Sequence, residues 1–242
     1  MPLRIGFDMD GVLADFATAF RDYGTRLFGP GEPPPNPHIG QRRLPGDQPE
    51  TEEARQATAE QDARDRIENA RALRRRDDKI WQAIESTPNF WMTLKPIDPG
   101  AVSRIHGLTL RYRWEVFFIT QRPYTEGETV QRQTQRWLVE QGFDLPTVLV
   151  LSGSRGAAAK AIRLDYHVDD NSQNCFDVIA DSTAKPILLI PASQQPAITS
   201  ARKLGIGVVH RIGDALDVLE QATLAQTNPS LLQRIASMVG WK

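Results

Sequence analysis

The chain has 242 residues, with 29 Lys and Arg against 30 Asp and Glu, so its net charge is only −1. That balance excludes a whole-chain field for nucleic acid or an anionic membrane. A hydrophobic fraction of 40% suffices for one large domain, or for a core with a small companion. Cys175 is the one cysteine, which excludes an intrachain disulfide framework and suits a reducing cytosol. It reads as a small buried residue rather than a nucleophile. No apolar run reaches the length of a membrane span, and Met1-Pro2-Leu3-Arg4 leads straight into a strand with no signal peptide visible. The expected place is the cytoplasm.

The first predicted strand, 4–7, runs into Gly6-Phe7-Asp8-Met9-Asp10-Gly11-Val12-Leu13-Ala14-Asp15-Phe16. An apolar run that stops in two carboxylates and a glycine places acids at the carboxyl edge of a sheet, where open α/β folds bind ligands. From 17 to 95 no convincing strand follows. The run Gly29-Pro30-Gly31-Glu32-Pro33-Pro34-Pro35-Asn36-Pro37 cannot be regular structure, because proline lacks the donor and fixes φ. Residues 50–85 are rich in Ala, Glu, Gln and Arg and read as helix. Their apolar stripe is thin until Ile67, Ala70 and Leu73, then Ile80, Trp81 and Ile84, as in a mostly solvated helix docked at its C-terminal half. Within it Arg74-Arg75-Arg76 is followed at once by Asp77-Asp78, which fits a solvated face.

Beyond the insertion, strands and helices alternate. Strands are expected at 114–119, 147–151, 166–168, 186–190 and 207–210, and helices at 101–110, 126–141, 155–163, 198–203 and 214–225. Near-continuous β-branched and aromatic runs predict strands buried on both faces. The fold class is α/β: a doubly wound, mainly parallel sheet with a small helical cap inserted after the first strand. The expected domains are 1–16 with 96–225 as the core, 17–95 as the cap, and 226–242 as a tail, with a short amphipathic helix at 230–241.

Four polar signals fall at the ends of these elements in order. They are Asp8 and Asp10, then Thr120 in Phe118-Ile119-Thr120-Gln121-Arg122-Pro123, then Lys160, then Asp169 and Asp170 in Val168-Asp169-Asp170-Asn171. Together they resemble the pattern of the haloacid dehalogenase superfamily: DxD, then Thr or Ser, then Lys, then an acidic pair. A carboxylate nucleophile is repelled by a phosphate dianion, and Mg²⁺ between them removes that repulsion. Magnesium prefers hard oxygen ligands. The resemblance implies Asp8 and Asp169 as ligands, with the backbone carbonyl of Asp10. It makes Asp8 the nucleophile that forms an aspartyl-phosphate, and Asp10 the group that protonates the leaving oxygen and later activates water. Thr120, Gln121 through its N–H, and Lys160 would contact phosphate oxygens. Asp170 would hold a metal-bound water or orient Lys160.

Alternatives stand beside these roles. Thr120 could be a helix N-cap. Arg155 or Lys185 could take the place of Lys160, which is favoured because it precedes the fourth strand as the family pattern requires. Asp15 could be an acid of the DxDG turn or a helix-start residue, while Asp165 reads as a turn residue and Asp177 as a surface helix residue. Asp10 argues for a phosphatase or phosphomutase over the dehalogenases, which lack it, and over the ion-pumping branch, which has threonine there. A fold of this family that has lost chemistry could bind phosphate or protein, but such a protein would usually have lost one of these residues. No dinucleotide fingerprint and no Gly-Lys-Ser/Thr loop is present.

A narrower resemblance concerns the substrate. The segment 7–16 and Pro88-Asn89-Phe90-Trp91-Met92-Thr93-Leu94-Lys95-Pro96-Ile97-Asp98-Pro99-Gly100-Ala101 are similar to segments of the 5′(3′)-deoxyribonucleotidases. That implies a nucleoside monophosphate as partner, with Phe90 and Trp91 in the substrate cleft and Arg122 reaching its phosphate side. The rings could stack on a base, or could simply pack one part of the chain on another. The long insertion departs from that family's compact cap, so a sugar phosphate or another small phosphomonoester stands as the alternative.

Overall fold

The computed structural model describes residues 2–30, 73–226, 239 and 240. The expectations for 31–37, 50–72 and 230–238 fall outside these residues, as does Trp241. The chain forms two compact units, one of 1–16 with 88–242 and one of 17–87.

The larger unit is built on six strands: β1 (Arg4–Asp8), β2 (Glu115–Thr120), β3 (Thr147–Val150), β4 (Tyr166–Asp169), β5 (Lys185–Leu189) and β6 (Gly207–Val209). They lie in the order β3-β2-β1-β4-β5-β6, and every pairing is parallel. All six predicted strands are present, and the fold is the expected α/β one. In β4 every residue is buried, and in β1 all but Arg4. That burial on both faces is why these segments read as unbroken apolar runs. The chain builds outward from β1 on one side, then returns to build outward on the other. The switch point therefore lies between β1 and β4. There Phe7 pairs with Val168, so Asp8 and Asp169 stand level one residue beyond, and Asp8 pairs with Ile119 on the other side.

The helices of this unit are α3 (Ala101–Tyr112), α4 (Val130–Glu140), α5 (Arg155–Ala161), α6 (Ser172–Asp181), α7 (Gln195–Lys203) and α8 (Ile212–Ala225). Three of them start on side-chain caps. Thr129 accepts from Arg132 N, Ser154 from Gly156 N and Ala157 N, and Asn171 from Gln173 N and Asn174 N. Such caps satisfy the first free N–H groups of a helix. Helix α4 begins four residues later than predicted, because Gly127 at φ 98° breaks the preceding chain. Helices α5 and α6 pack closely at Gly156, where a Cβ would overlap the Asp177 carbonyl.

The smaller unit contains α1 (Phe16–Phe28, whose first residue belongs to the larger unit) and α2, helical over 73–85. Ile80 and Ile84 are buried, and Trp81 packs on Phe20 with ring centroids 5.5 Å apart. Leu73, Arg74 and Arg75 at the start of the described part of α2 are exposed, while Ile80 and Ile84 nearer its end are buried. Among the described residues no helix is long and apolar enough to cross a membrane.

Candidate active site

The chain turns sharply after β1. Met9 O accepts from both Leu13 N and Ala14 N, at 2.9 and 2.8 Å, and Gly11 N donates to Ala14 O at 3.1 Å. Gly11 sits at φ 81°, and a Cβ there would overlap the Asp170 carboxylate. Only glycine meets both demands, the left-handed backbone and the close approach. This turn is tied to the segment entering α3, since Asp15 N donates to Lys95 O and Ile97 N to Leu13 O.

Asp8, Asp169 and Asp170 form one cluster, each offering an oxygen within 4.8 Å of the others. Asp169 is fully buried and heavily held. Its Oδ1 accepts from Asn171 N at 2.9 Å, the Asn174 amide reaches both oxygens at 3.1 Å, and His167 Nε2 lies 2.9 Å from Oδ2. His167 is buried beside Gly6, whose added Cβ would stand 2.7 Å from Nδ1. Outer partners of this kind orient an oxygen ligand before an ion arrives.

The charge balance of the cluster is unfavourable without a further cation. Burial, then the neighbouring Asp169, push the Asp8 carboxyl well above the usual carboxylate range, against the opposing pull of Arg155. Burial, then Asp169 and Asp10, push Asp170 up to about 7. The Cys175 thiol is also pushed well up, first by burial and then by these acids, so it is the inert buried residue expected. Three carboxylates facing one guanidinium, with hard oxygen donors converging, fit a divalent ion such as Mg²⁺.

The cation at the cluster is Arg155. Its Nη2 donates to Asp8 Oδ1 at 2.8 Å, and its Nε stands 3.8 Å from Asp169 Oδ2. The side chain is buried, and its Nε and Nη1 make no hydrogen bond. The structure does not bring Lys160 to this cluster. Lys160 lies in the last turn of α5, exposed, with no ion pair to any described residue. Five residues along a helix carry a side chain about 140° around the axis, so the two cations cannot point the same way. Ser154 at the cap was the signal in the sequence. It starts the helix just past β3 and places Arg155 in the first turn, at the ligand edge of the sheet.

Thr120 is buried at the end of β2, and the N-cap of the next helix is Thr129, so Thr120 is not a cap. Gln121 follows it and is exposed. Asp10 does not join the carboxylate cluster with its side chain. Instead Arg122 grips it with a two-pronged contact, Nε to Oδ2 at 2.8 Å and Nη2 to Oδ1 at 2.7 Å. Arg122 is therefore directed at Asp10.

Phe90 and Trp91 lie in the interior, as the packing alternative has them. They form a single 3-10 turn, Phe90–Met92, and are 0% and 1% exposed. They pack edge to face at 5.0 Å, with Phe16 against both. Trp91 N donates to the buried Gln133 Oε1, and Trp91 Nε1 donates to Pro123 O. The guanidinium of Arg122 lies 4.6 Å from the Trp91 ring centre. These contacts use the rings as core and as a wall for Arg122, not as an open stacking platform.

No protein-family model matches this chain, and no curated protein matches it. Among solved structures, a putative beta-phosphoglucomutase from Thermotoga maritima is similar at 16% identity and TM-score 0.49, over 90% of this chain and 99% of that one. A HAD hydrolase of family IA, variant 3, from Entamoeba histolytica HM-1:IMSS is similar at 12% identity and TM-score 0.43, over 88% of this chain and 95% of that one. Neither likeness is close enough to transfer an activity.

Proposed function

We propose that this protein is a phosphomonoesterase of the haloacid dehalogenase type, dependent on Mg²⁺ and working through an aspartyl-phosphate on Asp8. The observation that carries the reading is the buried group Asp8, Asp169 and Asp170 with Arg155 against it, at the switch point of a parallel sheet. Asp8, Asp169 and the backbone carbonyl of Asp10 would hold the ion, which when bound offsets the repulsion between a carboxylate and a phosphate dianion.

The residues of the chain divide the work. An Asp8 oxygen forms a bond to phosphorus as the bond from phosphorus to the leaving oxygen breaks. Asp10, once protonated, gives that proton to the leaving oxygen, then takes one from the water that hydrolyses the acyl-phosphate and releases inorganic phosphate, which restores the acid. Arg155 has donors unused by hydrogen bonds beside Asp8, suited to the equatorial phosphate oxygens where charge is spread during transfer. Thr120 and the Gln121 N–H lie at the same strand edge and take the same task. Asp170 would stand beside the ion or orient the Arg155 guanidinium.

The substrate is a small phosphorylated metabolite. The segments 7–16 and 88–101 favour a nucleoside monophosphate, while the buried state of Phe90 and Trp91 removes base stacking on them as its support. The test is a phosphate-release panel of nucleoside 5′- and 3′-monophosphates, sugar phosphates and aryl phosphates, with and without Mg²⁺. Asp8→Asn is expected to abolish release while circular dichroism stays unchanged. Normal turnover in that variant would sink the nucleophile assignment. Activity confined to sugar phosphates would reject the nucleotide reading alone. Retention of the phosphoryl group through a bisphosphate intermediate would mark a mutase.

A further inference from the structure

Arg122 was expected to face a ligand, yet it is buried and hydrogen-bonded through its whole guanidinium. Its side chain is 1% exposed, and each of its three nitrogens has a partner. Two go to the two oxygens of Asp10. The third, Nη1, donates to Thr134 Oγ1 at 2.9 Å, and that hydroxyl donates on to Val130 O in α4. The guanidinium carbon stands over the Trp91 ring, 4.6 Å from its centre, and Trp91 is itself pinned through Gln133 and Pro123. Gln133 is buried and also bonds Thr125, so the pinning reaches back into α4 and the loop before it. The Asp10 side chain keeps 17% of its surface open.

From this geometry, and resting on the reading above, we propose that Arg122 is the positioning residue of the proton shuttle. Its planar fork fixes the plane of the Asp10 carboxylate and leaves the open edge to meet the leaving oxygen. A carboxyl group on a short side chain can rotate about two bonds, and proton transfer needs the acid within hydrogen-bond reach of a defined atom. A bidentate guanidinium removes that rotation, and a lysine cannot, because it offers a point charge rather than a fork. Arg122 bonds the two carboxylate oxygens of Asp10. It acts through Asp10, with Thr134 and Trp91 holding it still.

The proposal separates from a merely structural role by leaving-group chemistry. An alkoxide leaves only with a proton, whereas nitrophenolate leaves without one. The experiment compares kcat/KM for the best alkyl phosphate of the panel with that for p-nitrophenyl phosphate, in wild type, Arg122→Met and Arg122→Lys. Thermal unfolding of each variant is run in parallel. Arg122→Met is expected to lose at least about tenfold more on the alkyl ester than on the aryl ester, within the range general acid catalysis supplies. Arg122→Lys keeps the buried charge, and so keeps the fold if the methionine variant does not, yet should show the same split. Thr134→Val should show a smaller one. Equal losses on the two esters, or no loss on either, would overturn the positioning role while leaving the phosphatase reading intact. A wild-type protein that releases phosphate from no monoester would overturn both.

Discussion

Arg155 Nη2 donates to Asp8 Oδ1 across 2.8 Å, with both side chains buried. A buried acid and a buried guanidinium in contact hold each other in one geometry, and neither tolerates losing the other. The pair joins β1 to the first turn of α5, two segments 147 positions apart in sequence.

Replacing Arg155 by Ala should reduce phosphate release by about 10²–10³-fold, the scale of losing one donor to a developing oxyanion. Lys160→Ala should leave turnover unchanged and shift stability by no more than about 0.5 kcal/mol, as exposed substitutions do. The check is kcat/KM on one substrate for both variants, with unfolding midpoints alongside. A dead Lys160→Ala beside an active Arg155→Ala would restore the assignment that the sequence favoured.

The carboxylate cluster sets a pH dependence of stability in the metal-free protein. Asp170 is pushed up to about 7 in the folded state, and Asp8 is raised in the same direction. The unfolded chain loses these protons near pH 4. Between those limits the folded state binds more protons, so stability falls as pH rises from about 4 towards 7. Asp170→Asn should flatten that fall and raise the melting temperature at pH 7, by about 2–4 °C for each kcal/mol relieved. Thermal melts of the two proteins in chelator, from pH 4.5 to 8, measure it. A melting temperature that rises through this window in wild type would contradict it.

Magnesium should relieve the same repulsion. Millimolar Mg²⁺ is expected to raise the melting temperature at pH 7.5, with proton release on binding because the acids must ionise. Asp169→Asn should abolish the shift. Titration calorimetry in buffers of different ionisation enthalpy counts the protons, and binding with none released would argue against the cluster as the site.

Gly156 and Gly11 are held by contacts that leave no room for a methyl group. Gly156→Ala would drive α5 off α6 at the Asp177 carbonyl and displace Arg155 with it. Gly11→Ala would add left-handed strain and a clash with Asp170. Each is expected to cost stability on the 1–3 kcal/mol scale of overpacking. Gly29→Ala, with open space around it, should cost only its positive φ. Chemical denaturation of the three variants ranks them.

Much of this could be read along the chain. Runs such as Val116-Phe117-Phe118-Ile119 and Ile187-Leu188-Leu189 declare strands, because a doubly buried strand needs unbroken apolar side chains. Asp8 and Asp169 declare themselves by ending such runs in charge. Helix α6 has no range in the sequence reading beyond Asp177 as a surface helix residue, since only Cys175 and Val178 of its apolar residues are buried and its start depends on the Asn171 cap.

The primary sequence therefore settled the α/β class, the parallel sheet and the carboxylates at its edge, since each is a matter of period and of where a run stops. The three-dimensional packing decided which groups meet. Arg155 reaches Asp8 and Lys160 does not, because rotation about one short helix separates them. Arg122 grips Asp10 and rests on Trp91 because the end of β2, helix α4 and the 3-10 turn converge there. Residue types limit what a side chain can do, but its direction and its partner come from elements far apart in the chain.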